Sequence, residues 1–142
     1  MAASTIAYDF FLYICDWILY VSLIDTDMQS ERCLAVTDAD LEVVASVYAL
    51  LNEFGELIVE YSFEDERNAR RNFCKRAIVD SDDTRSMATF FSVSEAELPQ
   101  LLDERCGIAY ESTPADVEYC FGEALNTILE SGVQYHLKEQ TR

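Results

Sequence analysis

Apolar residues recur along much of this chain at three- and four-residue steps. Leu41, Val44, Tyr48 and Leu51 follow that spacing and predict one buried face of a helix over 37–61. Thr37 stands at its N-cap, and Asp38 and Asp40 fall in the first turn, where the helix dipole favours anions. Gly55 marks the point where this helix bends or ends. Upstream, residues 6–23 are almost wholly apolar and predict a buried helix, joined to the next by a polar connection over 25–36.

Ser62 and Asp65 open a more charged helical stretch, with Phe63, Phe73, Ala77 and Ile78 as a narrow apolar stripe. Basic charge concentrates between Arg67 and Arg85, the pattern of a solvated helix face pairing with nearby acids. From Asp83 a helix runs toward Arg105, burying Met87, Phe90, Phe91, Leu98, Leu101 and Leu102. Pro99 kinks or divides it, because proline removes a helical donor and clashes with the preceding turn. Thr113, Pro114 and Asp116 are a strong helix start, and Gly132 is the matching stop. Between them lie Val117, Cys120, Phe121, Leu125, Ile128 and Leu129, and a short last helix includes Tyr135 and Leu137. The expected fold class is therefore all-α, a helical bundle forming a single domain over 1–142.

Charge narrows the choice of partner. The formal net charge of -17, from 27 acidic and 10 basic residues, repels phosphate backbones and anionic lipid headgroups, so nucleic acid is not an expected partner. The acidity serves solubility, or attracts a basic partner such as a peptide rich in Lys and Arg. Asp9 and Asp16 inside the apolar segment 6–23 argue against a membrane span, each costing roughly 2.5–3.5 kcal/mol near a bilayer centre. Aromatic residues of that segment lie on more than one helical face, which points to self-association, a homodimer through the first helix. The 5 cysteines include no CxxC pair, the usage of a reducing, cytoplasmic compartment, and their expected role is to fill the core.

Chemistry is sparse. His136 is the single histidine, so sites needing several imidazoles are excluded, and no phosphate-binding glycine loop or zinc-protease motif is present. Asp80, Asp82 and Asp83 do not make a calcium loop. Its sixth and twelfth positions, counted from Asp80, hold Arg85 and Phe91 rather than Gly and Glu. These acids are expected to serve as turn and cap residues. No enzyme, cofactor or metal is expected. A cysteine acting with His136 is the most distant alternative.

Residues 80–91, DSDDTRSMATFF, resemble the first homology motif of the Bcl-2 family, whose pattern is D-G-x-N-W-G-R-[IV]-x-x-[FL]-F. Asp80, Met87, Phe90 and Phe91 match it. Ser81, Asp83 and Thr84 replace the glycine, asparagine and tryptophan, and Arg85 stands one place before the arginine position, which holds Ser86. LEVVASVY, residues 41–48, is similar to the family's third motif through Leu41, Ala45 and Tyr48, with Ser46 at its aspartate. Residues 127–134 echo the second motif at Ile128 and Gly132, without its tryptophans. The combination resembles compact Bcl-2 homologues of large DNA viruses, such as iridoviruses.

The resemblance implies a bundle around a central helix and a viral inhibitor of apoptosis. Such a protein sequesters host proapoptotic BH3 proteins, such as Bim, by holding their BH3 helix in a hydrophobic groove. Carried over by position, the groove is lined by Tyr48, Leu51, Asn52, Phe73, Ala77, Arg85, Ala88 and Thr89, with Arg85 paired to the ligand's aspartate. Its expected location is the host cytoplasm, with mitochondria reached through its partners. The alternative within the same fold is an adaptor that inhibits innate-immune signalling through a different surface.

Overall fold

Period-two alternation, rather than helical period, organises the first half of the described chain. The computed structural model describes residues 31–37, 41–108 and 112–141. In it, Ala45, Val47 and Ala49 are buried, while the intervening Val44, Ser46, Tyr48 and Leu50 face the other way. Leu57, Val59, Tyr61 and Phe63 repeat the pattern. The strands are β1 (Glu31–Val36), β2 (Val43–Leu51), β3 (Leu57–Asp65), β4 (Phe73–Val79) and β5 (His136–Thr141). They form a five-stranded antiparallel sheet in the order β1-β2-β3-β4-β5. Three helices separate β4 from β5: α1 (Ser81–Phe91), α2 (Leu98–Cys106) and α3 (Pro114–Glu130).

The expectation of an all-α, Bcl-2-like helical bundle is overturned. Residues 37–61, expected as one helix, hold two strands and their turn, because β-branched and aromatic residues alternate there. Leu41, Val44 and Tyr48, expected on the buried face, are 40 %, 43 % and 36 % exposed. The charged stretch after Ser62 ends in β4, part of the polar connection over 25–36 is β1, and the final short helix is β5. The helical expectations that match are α1, α3 and the division at Pro99, which lies in the first turn of α2.

The turn between β2 and β3 explains Gly55. Asn52 Oδ1 accepts N–H bonds from Phe54 and Glu56, each at 2.9 Å, while Gly55 adopts φ +80°, a conformation that disfavours a Cβ. In β1 the register shifts between Cys33 and Ala35, leaving Leu34 as a bulged residue that is nonetheless buried. The chain after α2 runs beside β1, with Ile108 N–H donating to Leu34 O and Ser112 N–H to Val36 O. That edge is thereby partly covered.

One side of the sheet carries the core. Phe121 of α3 lies 5.2 Å from Tyr61 of β3, and Arg32 of β1 pairs with Asp103 of α2 at 3.3 Å. Leu98, Leu102, Val117, Cys120, Ala124 and Ile128 fill the layer between helices and sheet. At about 25 cal/mol per Å2 of apolar surface removed from water, Leu98, Leu102, Val117 and Ile128 each contribute roughly 1.5–3 kcal/mol, and the smaller Cys120 and Ala124 less. The helix α1 closes the end of the sheet, where Thr84 Oγ1 accepts Leu57 N–H at 3.1 Å and donates to Val79 O at 3.0 Å. The described helices leave the opposite face of the sheet without a layer.

Candidate functional site

The junction of α1 and α2 forms a small concavity with an unusual lining. Ser92 ends α1 in the left-handed conformation (φ 59°, ψ 42°), and its N–H and that of Val93 return to the last carbonyls of the helix. Ser94 then starts a short 3-10 turn over Glu95–Glu97 that leads directly into α2. Leu98 and Leu102 are fully buried and fix the rotation of α2. Glu97, Gln100, Leu101 and Glu104, at three- and four-residue spacing, consequently share an outward stripe. With Val93 they line a cavity of about 160 Å3.

Both carboxylates are held from within the segment. Glu97 Oε1 accepts the Ser94 N–H at 2.8 Å, and the bonds from Ser94 keep its carboxyl below the usual range, so it stays ionised. Glu104 Oε2 accepts from Gln100 Nε2 at 3.2 Å. The neighbouring cations are engaged elsewhere. Arg85 pairs with Asp82 at 3.1 Å and approaches Glu95 at 4.0 Å, while Arg105 pairs with Glu130 at 3.0 Å and lies over the Phe91 ring. Among the described residues no cation pairs with Glu97 or Glu104. Two carboxylates flanking Val93 and Leu101 suit a Lys or Arg side chain, whose stem packs on apolar surface while its charge reaches the acids.

A second concavity, of about 220 Å3, is lined by Cys74, Arg76, Lys138, Glu139 and Gln140 at the β4–β5 side of the uncovered face. Cys74 Sγ donates to Glu60 Oε2 at 2.9 Å, and Glu60 also pairs with Arg76 at 3.6 Å. Burial and the Glu60 carboxylate push the Cys74 thiol up, which keeps it protonated at neutral pH and a poor nucleophile. Burial likewise raises Cys106, and pushes Cys120 up to about 12. In the sheet register Cys74 faces Gln140, whereas His136 faces Ile78, four residues along β5, or about 13 Å away. The register therefore holds the histidine apart from this thiol. Among the described residues no group of His, Cys, Asp and Glu is arranged to hold a metal ion.

The residues expected to line a groove are dispersed. Tyr48 is on the uncovered face of the sheet, whereas Phe73 and Ala77 are on the covered one, with Phe73 stacked on Phe63 at 5.2 Å and Ala77 fully buried. Leu51 ends β2, and Asn52 organises the β2–β3 turn. Ala88 is buried in the core, Arg85 is an exposed helix residue paired with acids, and Thr89 is exposed and bonded to Arg85 O. Glu97 stands three residues after Ser94, the spacing of a capping box, and Glu104 lies seven residues farther on, beyond Leu101; the expectation of one helix from Asp83 toward Arg105 used neither signal.

Comparison with known proteins finds no matching family model, no matching curated protein and no matching solved structure. The Bcl-2 resemblance thus rests on its motif residues alone, and LEVVASVY among them leads into strand β2 rather than forming a helix. No helix among the described residues is long and apolar enough to cross a membrane. The segment 6–23, expected as a first helix and dimer contact, lies outside the described residues.

Proposed function

We propose that this chain is a non-catalytic binding module that sequesters a cationic segment of a partner protein against the Val93–Glu104 stripe. The observation that carries the reading is the placement of Glu97 and Glu104, without a cationic partner among the described residues, beside Val93 and Leu101. The net charge of -17 supports it, because a strongly acidic surface speeds encounter with a basic ligand. The raised Cys74, Cys106 and Cys120 thiols support a binding role over a nucleophilic one.

Sequestration of an amphipathic helix survives in this reading only as a class of ligand. A proapoptotic BH3 helix carrying Lys or Arg beside its apolar anchors belongs to that class. The interhelical groove that gave it priority, however, is replaced by the sheet. The immune-adaptor alternative depended on the same bundle and loses its scaffold with it.

Calorimetry with a Lys-bearing amphipathic helical peptide tests the proposal. Binding is expected at low salt and weakens as salt is added, because exposed charges are screened. Glu97→Gln combined with Glu104→Gln weakens it severalfold. Equal affinity in the double variant contradicts the proposed site.

A further inference from the structure

The helix α3 carries two stripes rather than one. Val117, Cys120, Phe121, Ala124, Thr127 and Ile128 are buried on its inner side. Along the opposite line stand Ala115, Tyr119, Gly122, Asn126 and Leu129, in successive steps of four, three, four and three residues. A surface helix ordinarily turns charged residues away from the core. Here the outermost line holds no charge, in a chain of net charge -17, and it leaves Tyr119 68 % and Leu129 43 % exposed.

Gly122 has no reason within the chain. A glycine in the interior of a helix is destabilising, and a Cβ at this position would meet no atom within 4 Å. It opens a gap in the outer stripe between Tyr119 and Asn126. Alternating steps of four and three are also the seam spacing of a helix that pairs with another helix. At that spacing the flanking positions hold Asp116, Glu123 and Glu130 on one side and Glu118 on the other. Glu130 is paired with Arg105, and Asp116 accepts the Thr113 N–H at 3.2 Å. Among the described residues no cation pairs with Glu118 or Glu123.

These flanks choose between occupants. A second copy lying parallel sets Glu118 against Glu123, and one lying antiparallel sets Asp116, Glu123 and Glu130 against one another, so the stripe repels its own kind. A helix bearing Lys or Arg on its flanks meets opposite charge on both sides.

We infer that the outward stripe of α3 is a docking face for one basic helix of a partner protein. A large apolar residue of that helix seats over Gly122, between Tyr119 and Asn126, and its Lys or Arg side chains reach Glu118 and Glu123. The stripe is on a different helix from the Glu97–Glu104 site and does not depend on it.

The probe is a synthetic heptad peptide with Leu along its seam and Lys on both flanks, whose copies repel one another in solution. Titrated into the full chain carrying Glu97→Gln and Glu104→Gln, it is expected to bind, to gain helicity in circular dichroism and to weaken severalfold as salt is added. Gly122→Leu fills the gap and should weaken binding severalfold without loss of helix or of thermal midpoint. Glu118→Lys with Glu123→Lys should reverse the preference, so that the same peptide with Glu on its flanks binds instead. Absence of binding overturns the inference, as does affinity indifferent to both α3 variants, or equal binding of the Glu-flanked peptide to the chain with its α3 acids intact. Dimers in sedimentation that dissociate on Gly122→Leu assign the stripe to a second copy and equally overturn it.

Discussion

Thr84 binds Leu57 across a separation of 27 residues, accepting the Leu57 N–H on its hydroxyl oxygen at 3.1 Å while donating to Val79 O. Thr84 is fully buried, so this single hydroxyl satisfies two main-chain groups where α1 meets the ends of β3 and β4. Thr84→Val keeps the shape and removes both bonds, and should destabilise the fold by about 1–3 kcal/mol. Thr84→Ser retains the hydroxyl and should cost less. Urea unfolding of the two variants beside the unaltered chain measures the difference.

Gly55 makes a second prediction. Its φ of +80° closes the Asn52–Glu56 turn, where a side chain is strained whatever space surrounds it. Gly55→Ala should therefore lower stability by about 1 kcal/mol, whereas a helix interior gains about that much from the same change. The sign of the shift in thermal midpoint separates a β-turn from the helix expected over 37–61.

The buried thiols set the alkaline limit. Cys120 is pushed up to about 12 by burial and, secondarily, by Cys106, against 9.0 for an ordinary thiol. Below pH 9 both folded and unfolded chains keep this proton, and the contribution to stability is fully present. As pH rises further the unfolded chain releases its proton while the folded chain retains it, so stability is lost progressively toward pH 12. Cys74 and Cys106 are raised and act in the same direction. Urea midpoints should fall above about pH 9, and Cys120→Ala should flatten that fall.

What could be read in the sequence was where local chemistry decides the structure. The α3 start is marked by Thr113, whose side chain accepts the Asp116 N–H at 3.1 Å, and its end by Gly132 at φ +89°. Asp80 caps α1 in the same way, accepting the Asp83 N–H at 2.8 Å. The strands were obscured because β2 is apolar on both faces. Leu41, Val44, Tyr48 and Leu51 supply a helical period through the same residues in which Val43, Ala45, Val47 and Ala49 supply the strand period. Cross-strand pairing decided the outcome, and that is a non-local property. At the candidate site Ser94 and Glu97 stand at capping-box spacing, which the expectation of one helix from Asp83 toward Arg105 passed over. The concavity also needs the left-handed Ser92, which turns the chain so that Val93 faces α2, and no motif announces that turn.

The most direct test of the binding proposal is chemical-shift mapping of the full chain titrated with a Lys-bearing amphipathic peptide. The account predicts that the largest changes fall on Val93, Glu97, Gln100, Leu101 and Glu104, and that they shrink in the Glu97→Gln, Glu104→Gln double variant. Saturable changes confined to other surfaces, or none at low salt, contradict it.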